Sequence, residues 1–264
     1  SDATLPPLFL IASAGGTLGA YEKLARTLKT DRDVIGVRDP YLWGERDAAL
    51  GFRHWIGLYI DALRQRQPQG PYHLVAYSSA GAFGYEMARR LRADGQDVAL
   101  MALIDPFGLD RPVRGSFGYR VMEARSRRPH FKLAVRVAGW VRAFALRMRR
   151  DDESGASASD LSFNADEVAQ RIREAKRGKG DLISFSTLFE LNTGARFALK
   201  NEDLAALDPD QYFSAFLAHV TRVAPELDPA VVDRIFCQYY GLQVPAQQKY
   251  GLRSYDGEVL LVEL

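Results

Sequence analysis

Leu74-Val75-Ala76-Tyr77-Ser78-Ser79-Ala80-Gly81 runs from an apolar stretch, through a turn of small residues, into an amphipathic segment. A strand that feeds straight into a helix with a serine at the corner lifts a hydroxyl above a sheet. It also turns the next residue's N–H toward a developing oxyanion, here the N–H of Ser79. Strand and helix backbones approach closely at such a corner, so its flanks must be small, and Ala76, Ala80 and Gly81 meet that demand. The usual motif has glycine two residues before and two after the serine; with Ser78 as nucleophile both places hold alanine. Counted from Ser79, Gly81 falls at the right distance, but bulky Tyr77 stands where a small residue belongs, so Ser78 is preferred. The alternative is a βα turn whose serines only cap the helix.

Two further segments extend this reading. Pro7 to Ile11 is an apolar strand, Ala12-Ser13-Ala14-Gly15-Gly16 a small-residue loop, and Tyr21 to Leu28 the start of an amphipathic helix. A glycine-rich loop after an early strand supplies a second oxyanion N–H in sheets of this build, and the backbone of Ala14 is the predicted donor. A phosphate-binding turn is the alternative, although neither a full G-x-G-x-x-G nor a G-K-[ST] is present. Val98 to Ile104 reads as a buried strand, and Asp105-Pro106 follows at its C-terminal end, the edge where open α/β sheets place their chemistry. Asp105 lies 27 residues after Ser78, room for one helix and one strand. Asp-Pro also starts turns, but with a serine corner one βα unit earlier, orientation of a catalytic histidine is the better reading.

Strands are expected at Leu8 to Ile11, Val34 to Val37, His73 to Ala76, Val98 to Ile104 and Glu258 to Val262. Helices are expected at Ala20 to Lys29, Phe52 to Arg66 and Gly81 to Ala93. Alternation of this kind predicts an α/β fold, a doubly wound, mostly parallel sheet. After Asp105 the pattern changes, and from Phe107 to about Gly251 it is helical with no convincing strand. The expected division is a core over 1–106, a helical lid insertion over 107–251 and a return to the sheet over 252–264. The Asp151 to Asp160 stretch reads as a mobile loop within the lid.

The 264 residues are 47% hydrophobic with a net charge of +2, enough for one sizeable core. No apolar run approaches the roughly 20 residues that span a bilayer. A lone Cys237 and no signal peptide point to the cytoplasm. The histidines and the cysteine lack metal-ligand spacing, so no metal is expected. From Arg111 to Arg150 the basic residues face Glu123 alone. That stretch reads either as a docking surface for an acidic partner or as a solvated helix face; with so small a net charge, nucleic acid is not the expected partner.

Phe9 to Leu28, Pro71 to Leu91, Met101 to Phe107 and Leu207 to Leu261 together resemble the thioesterase domain that ends polyketide synthases and nonribosomal peptide synthetases. Gly84-Tyr85-Glu86-Met87-Ala88 resembles that family's elbow helix, Ala102-Leu103-Ile104-Asp105 its acid strand, and Tyr255 to Leu261 its strand after the lid. The resemblance implies an α/β-hydrolase fold and a serine that takes an acyl, polyketide or peptidyl chain from a carrier-protein thioester. Release to water or to an internal nucleophile follows. It implies an acyl or peptidyl carrier protein as partner, with the substrate on its phosphopantetheine arm and no separate cofactor, and it leaves room for a dimer.

The chain departs from the family at Ala12-Ser13, where His-Pro is common, and at the elbow alanines. The family's general base follows the strand that resembles Glu258 to Val262, and the available histidines are His54, His73, His130 and His219. His54 and His73 read as structural, while His219 sits in a segment resembling a lid helix. The base is expected beyond Leu264, and a start at Ser1 without methionine suggests a domain excised from a synthase. Two other readings stay open: a free-standing editing thioesterase or esterase, and a catalytically silent fold that binds an acyl chain or a partner.

Overall fold

A computed structural model describes residues 5–39, 52–106, 163–193, 199–249 and 255–262. The Asp151 to Asp160 loop, the basic stretch and His130 lie outside the described residues. Five strands, β1 (Leu8–Ile11), β2 (Val34–Val37), β3 (Tyr72–Tyr77), β4 (Val98–Ile104) and β5 (Leu260–Val262), form one sheet in the order β2-β1-β3-β4-β5. Every pairing is parallel. Parallel neighbours need crossover connections, and α1 (Glu22–Thr27), α2 (Phe52–Arg66) and α3 (Gly81–Ala93) lie in the first three.

The pleat divides the strands' side chains between two cores. Phe9, Ile11, Leu74, Ala76, Met101 and Leu103 face α2 and α3 in the larger one. Leu8, Leu10, Val75 and Ala102 face the other way, where Tyr21 and the half-buried Leu24 of α1 cover them. Strands that are apolar on both faces are what a sheet clad on both sides requires, which is why they read as continuous runs in the sequence.

All five strands match their expected positions within two residues, and α2 and α3 match at both ends. The first helix is shorter than expected: a 3₁₀ turn, Gly19–Tyr21, precedes α1, which ends at Thr27 because Leu28 is already extended. β5 begins at Leu260, where its pairing with Ala102 begins.

Between β4 and β5 the described chain is helical: α4 (Ala165–Arg177), α5 (Lys179–Thr193), α6 (Tyr212–Val223), α7 (Pro229–Gln238), a π-helical turn (Tyr239–Gln243) and α8 (Val244–Lys249). Asn164 and Asp228 cap α4 and α7 by accepting from Asp166 N–H and Ala230 N–H at 2.9 and 2.8 Å. These helices pack on one another through an aromatic cluster centred on Phe185, whose ring meets Phe189, Phe216, Phe236, Tyr239 and Tyr240. None of the described helices is long and apolar enough to cross a membrane.

Helix α3 is clamped twice. A Cβ on Gly84 would stand 2.7 Å from Ala76 Cβ and 3.0 Å from Met101 Cε, so only glycine permits this approach of helix to strand. Two residues on, the Glu86 carboxylate is fully buried and accepts from Arg89 Nε at 2.8 Å and Arg90 Nε at 2.7 Å. Burial pushes its pKa up, but the hydrogen bonds and charges of the two arginines outweigh that and hold it below the usual carboxylate value.

Gly84→Ala is expected to lower stability in chemical denaturation by about 1–3 kcal/mol through overpacking, against a helix-propensity gain of roughly 1 kcal/mol. Because the folded pKa of Glu86 is depressed, its contribution is present above the ordinary carboxylate pKa and is lost as pH falls through the folded value. Glu86→Gln is therefore expected to cost about 1–3 kcal/mol at neutral pH. It should also flatten the acid limb of the stability curve, as measured by denaturation at stepped pH.

Candidate active site

Ser78 stands at the C-terminal end of the central strand β3, where the 3₁₀ turn Ser78–Ala80 leads directly into α3. Its φ is +52°, a left-handed conformation that costs a serine energy and persists only when the surroundings fix it. The register that pairs Tyr77 with Ile104 sets Asp105 beside Ser78 on the adjacent strand, and Asp105 too is left-handed, with φ +42°. These are the two non-glycine residues of positive φ among the described residues. Ser78 is half-buried and Asp105 is exposed at the same edge. Asp105 N–H donates to Val262 O at 2.7 Å, which ties the acid turn to β5.

On the other flank, Ala12-Ser13-Ala14-Gly15-Gly16 lies against the elbow, with a 3₁₀ turn over Ala14–Gly16. Ser13 Oγ donates to Tyr77 O at 3.2 Å. The Tyr21 hydroxyl donates to Ile11 O and accepts from Tyr77 N–H, both at 2.7 Å, and so bridges the ends of β1 and β3 at the points where both loops begin. Burial raises the pKa of this phenol, so it stays a protonated donor. Gly15 and Gly16 have φ of +70° and +73°, which explains the glycine pair. The structure thus brings Ser78, Ser79, Asp105 and the Ala14 loop to one edge of the sheet.

The described histidines are His54, His73 and His219. His73 pairs with Leu8 and Leu100 toward the N-terminal end of β3, five residues before Ser78 and therefore about 17 Å along the strand. Burial, aided by Arg32, lowers its pKa, as expected of a structural imidazole. His54 is exposed on α2 beside Arg53, Asp61 and Arg90. His219 is engaged by Arg222 of its own helix at 2.8 Å. Burial raises the Cys237 thiol to about 11, so it is no competing nucleophile.

Sequence reasoning passed over Tyr21, Ser13 and two buried polar groups. One is Asp39, fully buried after β2 and contacted by Trp55 Nε1 at 3.4 Å. The other is Gln243, whose Oε1 accepts Gly15 N–H at 2.7 Å. Pro245, two residues after Gln243, was the available signal of an irregular helix there, because it removes a backbone donor.

A parallel sheet with a left-handed serine at the end of its middle strand and an aspartate at the end of the next is consistent with an α/β-hydrolase fold. Residues 6–113 match the family model described as "Thioesterase domain". The chain is 38% identical over 105 residues, 39% of its length, to a non-reducing polyketide synthase of an Arthrinium species. It is 36% identical over 107 residues to the bikaverin polyketide synthase of Gibberella fujikuroi, and it spans 5% of each synthase.

A solved four-domain nonribosomal peptide synthetase, in its holo form with AMP and glycine, aligns over 99% of this chain and 16% of its own. The TM-score there is 0.61 and the identity 23%. The wild-type Vlm2 thioesterase domain aligns over 97% of this chain and 84% of its own, with TM-score 0.50 and identity 14%. At those identities the likeness is one of fold. The chain therefore resembles the thioesterase domains of polyketide synthases and nonribosomal peptide synthetases in sequence over its first part and in fold over nearly all of its length.

Tyr21→Phe keeps the ring but deprives Tyr77 N–H and Ile11 O of their shared partner. It is expected to cost about 1–3 kcal/mol in thermal or chemical denaturation. It should also speed hydrogen exchange at the Tyr77 amide selectively over the rest of β3.

Proposed function

We propose that this chain releases an acyl, polyketide or peptidyl chain from a carrier-protein thioester through an acyl-serine intermediate, by hydrolysis or by cyclisation. The observation that carries the reading is the left-handed Ser78 at the crest of β3, with left-handed Asp105 in register beside it. A non-glycine residue held in that conformation stores strain, and such strain concentrates at functional turns.

In this mechanism Ser78 Oγ attacks the thioester carbonyl carbon while a histidine oriented by Asp105 takes the hydroxyl proton. The N–H groups of Ala14 and Ser79 hold the oxyanion of the tetrahedral intermediate. Its collapse breaks the C–S bond, and the histidine returns the proton to the departing pantetheine thiol. Water or a nucleophile of the chain itself then attacks the acyl-serine, regenerating Ser78. The histidine comes from outside the described residues. The phosphopantetheine arm belongs to the substrate, so the reading needs no further cofactor. Residues 107–251 act as the lid between the core (1–106) and the returning strand (252–264). The single cysteine fits a reducing, cytoplasmic setting.

A second reading, a silent domain that binds an acyl chain or a partner, is favoured by one observation: His54, His73 and His219 are all engaged or placed elsewhere. Labelling separates the two. Treatment of the full-length protein with a fluorophosphonate, with adducts mapped by peptide mass spectrometry, is expected to modify Ser78. The adduct should vanish in Ser78→Ala and persist in Ser79→Ala. Asp105→Asn should slow it by roughly 10³- to 10⁴-fold. Undiminished labelling of Ser78→Ala would remove Ser78 from its role, and an unlabelled wild-type protein would favour the silent domain.

A further inference from the structure

The loop that carries Ala14 is held by something other than its own turn. Ser13 N–H is satisfied by Thr17 O and Gly16 N–H by Ser13 O, both within the loop. Gly15 N–H instead leaves the loop and donates to the side chain of Gln243, 228 residues away in sequence, at 2.7 Å. Gln243 is 0% exposed, and its Nε2 is buried with no hydrogen-bond partner. An orphaned buried amide donor is destabilising, so hydrocarbon of the same shape would suit stability better. The amide's one accomplished bond is to the loop.

The backbone around Gln243 is built to deliver it. Tyr239–Gln243 is a π-helical turn, closed by Val244 N–H to Tyr239 O. Such a turn inserts one extra residue into a helix and rotates the segment on its C-terminal side, and it recurs at functional sites. Gly241 at its centre fits against Val168 and Ile172 of α4, where a Cβ would lie 3.1 Å from each. Eight residues before Gln243, Ile235 of α7 fills the space that a Cβ on Gly15 would need. Gln243 and Ile235 therefore grip Gly15 from the helical layer, one by a hydrogen bond and one by contact.

We propose that Gln243 is a positioning residue for acyl transfer: by holding Gly15 N–H it fixes the adjoining peptide of Ala14 so that its N–H faces the oxyanion formed at Ser78. Gln243 touches neither substrate nor nucleophile; it acts through the loop. The placement of an oxyanion donor on the N-terminal loop thus depends on the docking of helices more than 200 residues later. This inference rests on the reading of Ser78 as nucleophile.

The test uses the full-length protein and a fluorophosphonate, whose phosphonyl oxygen occupies the oxyanion position as it reacts. Gln243→Met keeps the volume without a comparable acceptor, Gln243→Asn keeps the amide but withdraws it by one methylene, and Gln243→Glu keeps an acceptor oxygen at full reach. Expected for Met and Asn is a maximal labelling rate lowered roughly 10- to 100-fold, with half-saturating probe concentration and final labelled fraction unchanged. Faster hydrogen exchange at the Gly15 amide should accompany it. Gln243→Glu should stay within a few-fold of wild type.

A Met or Asn variant that folds and keeps the wild-type rate overturns the proposal. So does a deficit that appears only as a smaller labelled fraction, since that is the signature of a merely structural role. If Met does not fold, Asn alone decides by the same readings. Wild-type protein that fails to label at Ser78 sinks the reading of the site itself, a result distinct from a labelled wild type whose rate ignores Gln243.

Discussion

The contact of Gly84 with Ala76 and Met101 sets how closely α3 can lie on β3, and through that distance it sets the corner on which Ser78 turns. A wider gap would let the corner relax into an ordinary extended-to-helical junction. At the observed distance the chain has to reverse sharply, and Ser78 takes up the left-handed conformation. The buried Glu86, gripped by Arg89 and Arg90 on the next turn, stiffens the same helix. The Tyr21 hydroxyl holds the strand side of the corner from the opposite flank. Strain at one residue is thus surrounded by close packing, an ion-paired carboxylate and a bridging phenol, the kind of over-determined setting in which such strain persists.

Much of this was legible in the sequence. Continuous apolar runs marked strands buried on both faces, and the apolar periodicity of Phe52 to Arg66 and Gly81 to Ala93 marked helices to the residue. Ser78 and Asp105 could be placed because each sits where a strand ends, and a strand end is announced by the change from apolar run to small or turn-forming residues. The bridging role of Tyr21 was hidden, since a tyrosine at a helix start is usually an apolar face with its hydroxyl in water. The Gln243 contact was less accessible still. It depends on a tertiary approach between distant segments and on a π register that no local periodicity encodes. Of the two elbow alanines, Ala76 lies directly against Gly84, whose missing side chain leaves room for its methyl.

The site is assembled from three kinds of connection with different reach. Asp105 and Ser78 are joined by strand register, a short-range and rigid link. The Ala14 loop is joined to the elbow by side-chain hydrogen bonds from Ser13 and Tyr21, across one strand spacing. The helical layer is joined to that loop by Ile235 and Gln243 across most of the chain. Rigidity falls along that series, since each link involves more soft torsions than the last.

The aromatic cluster around Phe185 gives the helical layer an interior separate from the two flanking the sheet. Ile235 belongs to this interior and also abuts Gly15, so repacking among these rings reaches the loop beside the elbow. The sequence match ends near residue 113, whereas the likeness in fold runs over 99% of the chain.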